Sequence, residues 1–436
     1  MKKLFSLFLA LLMVFMLCAC GKDTSNDSDT ETPKKDKGNP LFSQGLLAVK
    51  QGDKWGFINE QGTFVIAPQF DFALPFAENG LAGVAQNGKY GFINKTGTYV
   101  IEPQFDGIDT FSDSGLAWVR LNYKWGRINE KGELVVQPQF DDLWILTGHG
   151  LTAFCVDGKY GLIDGKGNIV AEPKFNLIYS FTDNGLARVK LDGMYGFIDE
   201  KGKLVAQPKF DSASPFAKNG LAAVCLNDTY GFINKNGDFV IEPQFAIADG
   251  FSDNGLAAVY KDGKWGYINN QGAFVIEPQY DQADYFANNG LAAVRINDQY
   301  GYIDEKGVLV VQPLFDEAAS FADNGMAAVK LNGKWGYINE KGSLVVQPQF
   351  DEAWPFSENG LAAIKINNSF GFLNEQGNVV LQPQFDSISI TYSDGYIVVE
   401  KNGKFGIIDG SGQYIIDLIY DQIVYSDIVF PSGPIY

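Results

Sequence analysis

The sequence predicts an all-β protein, built as a tandem array of eleven units of about 35 residues. Three observations lead to this prediction. Glycine recurs every 35 residues from Gly45 to Gly395, and an aromatic–Gly pair and a later glycine keep the same period. Aromatic residues make up 14% of the chain and glycines number 49, which favours strands joined by tight turns. A fixed period of this length is typical of repeat architectures.

The N-terminal region is predicted to direct export. Residues 1–19 combine two lysines with an apolar run too short to span a membrane, as in a signal peptide. The tetrapeptide that ends in Cys20 resembles the bacterial lipobox, which implies that Cys20 carries a lipid. Residues 20–40 lack aliphatic and aromatic side chains after the cysteine and are predicted to be a polar tether. The alternative is an ordinary signal peptide without lipidation.

Residues 41–436 form the predicted array, and its ninth unit shows the local pattern. Residues 327–331 form an apolar strand, and Asn332-Gly333 is typical of a hairpin turn. A second strand carries Trp335-Gly336, and a turn leads to a third strand that Pro348 ends. Each unit is therefore predicted to be a three-stranded antiparallel meander. The following segment, 350–356, is predicted to form a capped helical or 3₁₀ turn with both phenylalanine rings buried.

Glycine within the second strand removes a side chain where something packs closely, and we expect an aromatic ring of the adjacent unit there. The sequence "GKWGYINEKG", followed by an apolar triplet and "QPQFD", resembles the bacterial WG repeat, also called the KWG repeat. The resemblance implies an exported or surface β-repeat protein without an assigned catalytic activity. The pairs that define it include Trp55-Gly56, Tyr90-Gly91, Trp125-Gly126, Trp265-Gly266 and Trp335-Gly336.

The array is predicted to be an open, superhelical solenoid, with closure into a β-propeller as the alternative. Propellers usually contain four to eight blades of four strands, which is fewer blades and more strands than the pattern indicates. The last unit has Leu418 where the other units have proline, as expected of a terminal cap.

Composition excludes several kinds of function. A formal net charge of −18 argues against nucleic-acid binding, which needs a basic surface. His149 is the one histidine, so a zinc site with several histidines is excluded. An aspartate that follows the third strand in nine of the eleven units is expected to cap a turn rather than to hold calcium. The recurrent lysine before the aromatic ring is expected to pair with acids. We predict no metal and no cofactor.

Cys155 and Cys225 lie in equivalent positions two units apart and are predicted to be free thiols. Four residues depart from the repeat and are candidate ligand contacts: Trp118, Trp144, His149 and Trp354. Aromatic side chains outside the pattern are suited to stacking on sugars or anchoring a protein partner. The competing interpretation is that they fill the core.

The sequence thus predicts a monomeric, non-enzymatic binding scaffold, held at the cell membrane or outer membrane by the lipid on Cys20. Its ligand is predicted to be an envelope protein or a glycan. One alternative is a purely structural spacer of the envelope. A carboxylate-based glycoside hydrolase is disfavoured because the acids recur in register rather than breaking the repeat.

Overall fold

The computed structural model describes residues 41–146, 149–389 and 396–424. These residues form eleven antiparallel sheets of four strands each, which we call blades. Blade 1 contains β1–β3 and β44, and blades 2–11 each contain four consecutive strands. One 3₁₀ helix, Ser43–Gly45, precedes β1. The predicted all-β class and the eleven units are confirmed.

Each blade begins at one edge with a short strand. These first strands are β4 (Phe72–Phe76), β8 (Gly107–Ile108), β12 (Asp142–Ile145), β16 (Leu177–Phe181), β20 (Ser212–Ala213), β24 (Ile247–Ala248), β28 (Gln282–Ala283), β32 (Glu317–Ala318), β36 (Glu352–Ala353), β40 (Ser387–Ile388) and β44 (Gln422–Val424). The second strands are β1 (Leu47–Gln51), β5 (Ala82–Gln86), β9 (Leu116–Leu121), β13 (Leu151–Val156), β17 (Leu186–Leu191), β21 (Ala222–Leu226), β25 (Ala257–Lys261), β29 (Ala292–Ile296), β33 (Met326–Leu331), β37 (Leu361–Ile366) and β41 (Tyr396–Lys401).

The aromatic–Gly pairs lie on the third strands, and the fourth strands follow them at the other edge. The third strands are β2 (Lys54–Ile58), β6 (Lys89–Ile93), β10 (Lys124–Asn129), β14 (Lys159–Asp164), β18 (Met194–Asp199), β22 (Thr229–Ile233), β26 (Lys264–Ile268), β30 (Gln299–Ile303), β34 (Lys334–Asn339), β38 (Ser369–Asn374) and β42 (Lys404–Asp409). The fourth strands are β3 (Phe64–Phe70), β7 (Tyr99–Phe105), β11 (Leu134–Phe140), β15 (Ile169–Phe175), β19 (Leu204–Phe210), β23 (Phe239–Phe245), β27 (Phe274–Tyr280), β31 (Leu309–Phe315), β35 (Leu344–Phe350), β39 (Val379–Phe385) and β43 (Tyr414–Tyr420).

The predicted three-stranded meander is corrected to four strands. The segment after Phe350 does not form a helical turn, because residues Glu352–Ala353 pair with β37 of the next blade. One residue, Asp351, separates β35 from β36, so the chain passes directly from one blade into the next. Both phenylalanine rings of this segment, Phe350 and Phe356, are buried as predicted.

Glycine in the third strand makes room for main chain, not for an aromatic ring as we predicted. A Cβ on Gly336 would lie 2.5 Å from the carbonyl oxygen of Val346 and 2.8 Å from the nitrogen of Pro348. The fourth strand bulges toward the third here, since Trp335 pairs with Phe350 but Tyr337 pairs with Val346. Proline fits the bulge because it removes a donor that the ladder does not use.

The turns follow the predicted chemistry. Asn332 (φ 53°) and Gly333 (φ 77°) adopt the left-handed conformation that a type I′ hairpin requires. In the next turn, the side-chain oxygen of Asn339 accepts hydrogen bonds from the N–H groups of Lys341 and Ser343, each at 3.0 Å. These local bonds fix the register of the two hairpins.

The blades close into a ring, so the open solenoid gives way to its alternative, a propeller. β44 pairs with β1 through Ala48–Val424, Val49–Ile423 and Lys50–Gln422. Leu41 and Phe42 pack with Tyr420 and Ile423 in one apolar cluster that joins the two ends of the array. Thus the last described residues complete the first blade, and the degenerate last unit closes the ring instead of capping a free end.

Apolar cores lie between successive blades. The cluster between blades 8 and 9 combines Tyr302, Val311 and Phe315 from one blade with Phe321 and Val329 from the next. Each blade alone would leave these side chains exposed, and stacking buries them. Among the described residues, no helix is long and apolar enough to cross a membrane.

Candidate functional site

The four candidate residues lie in different environments. Trp118 is buried, with 4% of its surface exposed, and belongs to the core between blades 3 and 4. Trp354 is half-buried and packs against Phe370 with 5.6 Å between ring centroids. Trp144 is 41% exposed. Of the three tryptophans, therefore, only Trp144 exposes a substantial part of its surface.

His149 has a structural counterpart in other units. Its Nδ1 lies 2.5 Å from Glu200 Oε1, in a residue 51 positions later. Asparagine makes the same contact at the equivalent position in three other units, where its side-chain nitrogen donates to a glutamate 51 residues later at 3.1–3.2 Å: Asn79–Glu130, Asn254–Glu305 and Asn289–Glu340. His149 therefore links blades, which favours a structural role over ligand binding.

Trp144 and Trp354 belong to one position of the repeat whose residue type varies widely from unit to unit. We call this set the variable column: Leu74, Asp109, Trp144, Tyr179, Ser214, Asp249, Asp284, Ala319, Trp354, Ser389 and Val424. The position just before it is always aliphatic, as in Ala73 and Ile423. Since the column occupies an equivalent place in every blade, closure arranges these eleven side chains in a ring. Its variability shows that the glycines, turns and aspartates common to the blades do not dictate these residues.

Sequence reasoning missed the variable column as a whole. It singled out two tryptophans because they are large, and passed over Asp249 and Tyr179 of the same column. A comparison of the aligned units, position by position, would have shown the variety of side chains in this column.

Two acids of the column lie in neighbouring blades. Asp284 is half-buried, and Asp249, although part of its surface is exposed, has enough protein around it to be desolvated. Desolvation by the surrounding protein raises the pKa of Asp249 to about 6. Desolvation, followed by the charge of Asp249, raises the pKa of Asp284 to about 6. Both carboxylates therefore gain protons more readily than ordinary aspartates.

In blade 5, the residue of the variable column is Tyr179, and an arginine stacks on its ring. The Arg188 guanidinium lies 4.3 Å from the centre of the Tyr179 ring and donates a hydrogen bond to the Ala213 carbonyl at 2.7 Å. Burial, and then the hydrogen bond with Tyr195, raise the pKa of Tyr179 to about 12. Arg188 and Tyr179 therefore already have interaction partners within the protein.

The interface of blades 3 and 4 contains a buried arginine. Arg127 is 4% exposed, and its guanidinium lies 4.6 Å from the centre of the Trp118 ring. It donates hydrogen bonds to the carbonyls of Asp164 at 3.2 Å and Gly165 at 2.9 Å. Trp118 thus fills the core, as the competing interpretation proposed, and it also holds Arg127.

The recurrent aspartate and lysine link successive blades. Asp351 accepts a hydrogen bond from the Asn367 N–H at 2.7 Å and pairs with Lys334 at 2.5 Å. Asp421 does the same across the ring closure, with the Gly52 N–H at 2.8 Å and Lys404 at 2.5 Å. The lysine, through its hydrogen bond, is the first cause that lowers the pKa of each aspartate. The expected turn cap and ion pairs are therefore present.

The remaining candidates are placed as follows. Cys155 and Cys225 are free and buried, and burial raises the pKa of each thiol. Within the described ranges, no group of three or more His, Cys, Asp or Glu side chains is arranged to hold a metal ion. Cys20 and the segments 1–19 and 20–40 lie outside the described residues.

The family model for the WG containing repeat matches ten consecutive segments of the chain. They are residues 55–90, 90–125, 125–160, 160–195, 195–230, 230–265, 265–300, 300–335, 335–369 and 370–405. No curated protein of similar sequence was found.

Solved structures resemble the chain only weakly. A eukaryotic initiation factor shares 12% identity, with a TM-score of 0.36, and the match covers 69% of this chain and 94% of that one. Hsv2 of Kluyveromyces lactis shares 9% identity, with a TM-score of 0.30 and coverage of 66% and 99%. PorZ, a surface component of the type-IX secretion system of Porphyromonas gingivalis, shares 9% identity, with a TM-score of 0.24 and coverage of 85% and 59%. These similarities are too weak to bear on function.

Proposed function

The chain belongs to the family of WG-containing repeat proteins, and on that premise we propose that it is a non-catalytic binding scaffold of the bacterial cell envelope. In this proposal the lipid on Cys20 holds the protein at the membrane, and the ring of blades presents a surface to a protein or glycan ligand.

The variable column is the observation that carries the proposal. The turns, the bulged strands and the aspartate links recur from blade to blade, whereas this column contains acids, aromatic rings, hydroxyls and aliphatic side chains. A repeated frame that holds a varied set of side chains is a common design of repeat proteins that bind partners. Trp144, 41% exposed, is the side chain of this column best suited to anchor one.

The absence of catalysis is proposed on the roles of the recurrent carboxylates. Six of these aspartates bind both a lysine and a turn N–H, which leaves them little freedom to act on a substrate: Asp71, Asp106, Asp141, Asp281, Asp351 and Asp421. Asp249 and Asp284 depart from the repeat and have raised pKa values. Polysaccharide hydrolysis that is lost in Asp249→Asn would contradict the proposal.

Capture by the tagged protein tests the binding function. Envelope extracts are passed over the wild-type protein and over its Trp144→Ala variant, and a retained protein or glycan is then purified. Saturable binding of the purified ligand, weakened by Trp144→Ala, supports the scaffold. A wild-type protein that retains no ligand, while its removal changes the envelope, favours the structural spacer.

Metabolic labelling tests the anchor. A palmitate analogue is expected to label the wild-type protein and not Cys20→Ala. Protease treatment of intact cells then reports whether the ring faces outward. Label on the Cys20→Ala variant would contradict the lipid anchor and leave the binding function to be judged by capture.

A further inference from the structure

We propose that β12 binds an extended, positively charged peptide segment of a partner protein, which adds to blade 4 as a further strand and places a lysine or arginine against Trp144. This inference rests on the proposed binding function and names the ligand class for one site of the variable column.

The first argument is the edge that β12 presents. It has four residues, whereas seven of the other first strands have two and β44 has three. β4 and β16 have five, but their pairing contains a register shift that the pairing of β12 lacks. It pairs with β13 from Asp142–Cys155 to Ile145–Thr152, and no further strand pairs with it among the described residues. In blade 10, the equivalent Trp354 N–H donates to Ala363 at 3.0 Å, toward the second strand. Trp144 is the equivalent residue of β12, so its N–H is expected to point toward β13. Because main-chain groups alternate in direction along an antiparallel strand, those of Leu143 and Ile145 point away from β13, where an added strand could pair with them.

The second argument is the apolar surface on this strand. Trp144 is 41% exposed on one face of the strand, and Ile145 is 48% exposed on the other. Trp354, in the same position of blade 10, packs against Phe370, and Pro355 follows it. Blade 4 has Tyr160 in place of Phe370, and the hydroxyl of Tyr160 donates to Asp142 at 3.3 Å. The tryptophan of this position is therefore packed against an aromatic ring in blade 10 and is more exposed in blade 4.

The third argument is the charge beside Trp144. Asp141, Asp142 and Asp157 all lie close enough to Cys155 to raise the pKa of its thiol, after the larger effect of burial. Lys124 pairs with Asp141. Asp142 accepts the Tyr160 hydroxyl, and both Asp142 and Asp157 are exposed. Asp142 and Trp144, two residues apart on β12, share one face of the strand. An exposed carboxylate beside an exposed indole ring selects a cation, because the ring face and the acid attract the same charge. The net charge of −18 acts in the same direction.

Two designed peptides test the proposal. One is a fluorescent nine-residue peptide of alternating Lys and Val, and the other replaces each Lys by Glu. In fluorescence anisotropy with the full ring, we expect the lysine peptide to bind and to weaken as salt is raised. Trp144→Ala is expected to lower its affinity about tenfold, while the matched Trp354→Ala lowers it less than about twofold.

Backbone methylation tests strand addition separately. N-methyl groups on alternate residues block one edge of an extended peptide and leave the other edge free. We expect one of the two methylated lysine peptides to lose binding and the other to keep it. Equal binding of both would contradict strand addition.

Other outcomes would also overturn the inference. One is that the glutamate peptide binds as tightly as the lysine peptide. Another is that Trp144→Ala and Trp354→Ala lower the affinity for the lysine peptide equally. A third is that the protein binds neither peptide but retains a glycan, and that Trp144→Ala weakens the binding of this glycan. Melting curves of both variants confirm that they fold. If an envelope partner is captured without dependence on Trp144, the inference fails and the scaffold function stands. If the lysine peptide binds but no envelope partner is captured, the scaffold function fails and the site stands.

Discussion

The interfaces between blades 8 and 9 and between blades 3 and 4 solve one packing problem in two ways. At the first, Tyr302 packs against Phe321 with 4.7 Å between ring centroids and donates its hydroxyl to Ala319 at 2.6 Å. At the second, Arg127 stands at the position equivalent to Tyr302, and Leu146 stands at the position equivalent to Phe321. Arg127 stacks on Trp118 instead, at a position where blade 8 has alanine.

The strand register is the same at both interfaces. Arg127 pairs with Trp118 and Val136, as Tyr302 pairs with Ala293 and Val311. Volume lost at residues 127 and 146 is replaced by Trp118, Leu143 and Phe154, which are larger than their counterparts in blades 8 and 9. The frame of glycines, turns and aspartates therefore sets the geometry, and the packing between blades adapts to it.

The largest expected effect tests whether the frame is common to both regions. Gly126→Ala and Gly301→Ala would each place a Cβ against main chain, 2.6 Å from the Val136 carbonyl and 2.5 Å from the Val311 carbonyl. Because main chain cannot move without breaking the bulge, we expect each to cost about 4 kcal/mol or more. Thermal melting measures the loss. Gly250→Ala, with no atom within 4 Å of the added Cβ, is the control. A large difference between the first two variants would show that the frames differ.

A smaller loss tests the packing at blades 3 and 4. Trp118→Ala would leave a cavity and remove the ring that holds Arg127, at a cost of about 3 kcal/mol. Adding Arg127→Tyr, Leu143→Ala, Leu146→Phe and Phe154→Val recreates the packing of blades 8 and 9. We expect this fivefold variant to recover most of the stability in denaturant unfolding. A fivefold variant less stable than Trp118→Ala would show that the two solutions are not interchangeable.

A still smaller effect is expected from Asp281 and Asp284, whose contributions to stability depend on pH in opposite ways. The raised pKa of Asp284 means that the folded state holds its proton more tightly than the unfolded state. Its contribution to stability is therefore lost as pH rises from about 4 through about 6. The Lys264 hydrogen bond lowers the pKa of Asp281, so its contribution is lost as pH falls below about 4. We expect Asp284→Asn to raise the melting temperature at pH 7 and Asp281→Asn to lower it. Equal signs would contradict the assignment.

The smallest expected effect concerns His149. His149→Asn is expected to change the free energy of unfolding by less than about 0.5 kcal/mol, because asparagine makes the same inter-blade contact in other units. His149→Leu, which cannot reach Glu200 with a polar atom, serves as the matched variant and is expected to be less stable in the same melting assay. A His149→Asn variant that melts like His149→Leu would show that the histidine has a role of its own.

Much of the fold could be predicted from the sequence because it is local. Asn332-Gly333 and Asn339 determine their turns through their own φ angles and side-chain bonds, so the period identifies them. The short first strand was missed because two residues such as Glu352–Ala353 carry no alternation of their own. Closure was predicted only as the alternative to an open solenoid, because it depends on the angle between blades, which no residue of a single unit encodes. Burial of Trp118 and exposure of Trp144 depend on neighbours in another blade, so the sequence could name both but not distinguish them.

The pairing of β44 with β1 has a consequence for how the molecule comes apart. A linear stack of repeats frays from its two ends, where the outermost unit has only one neighbour. A ring offers no such starting point, so some seam must open before any blade peels away. Amide hydrogen exchange is then expected to be slow and nearly uniform around the circle, and to quicken first beside the closing seam when residues 422–424 are removed.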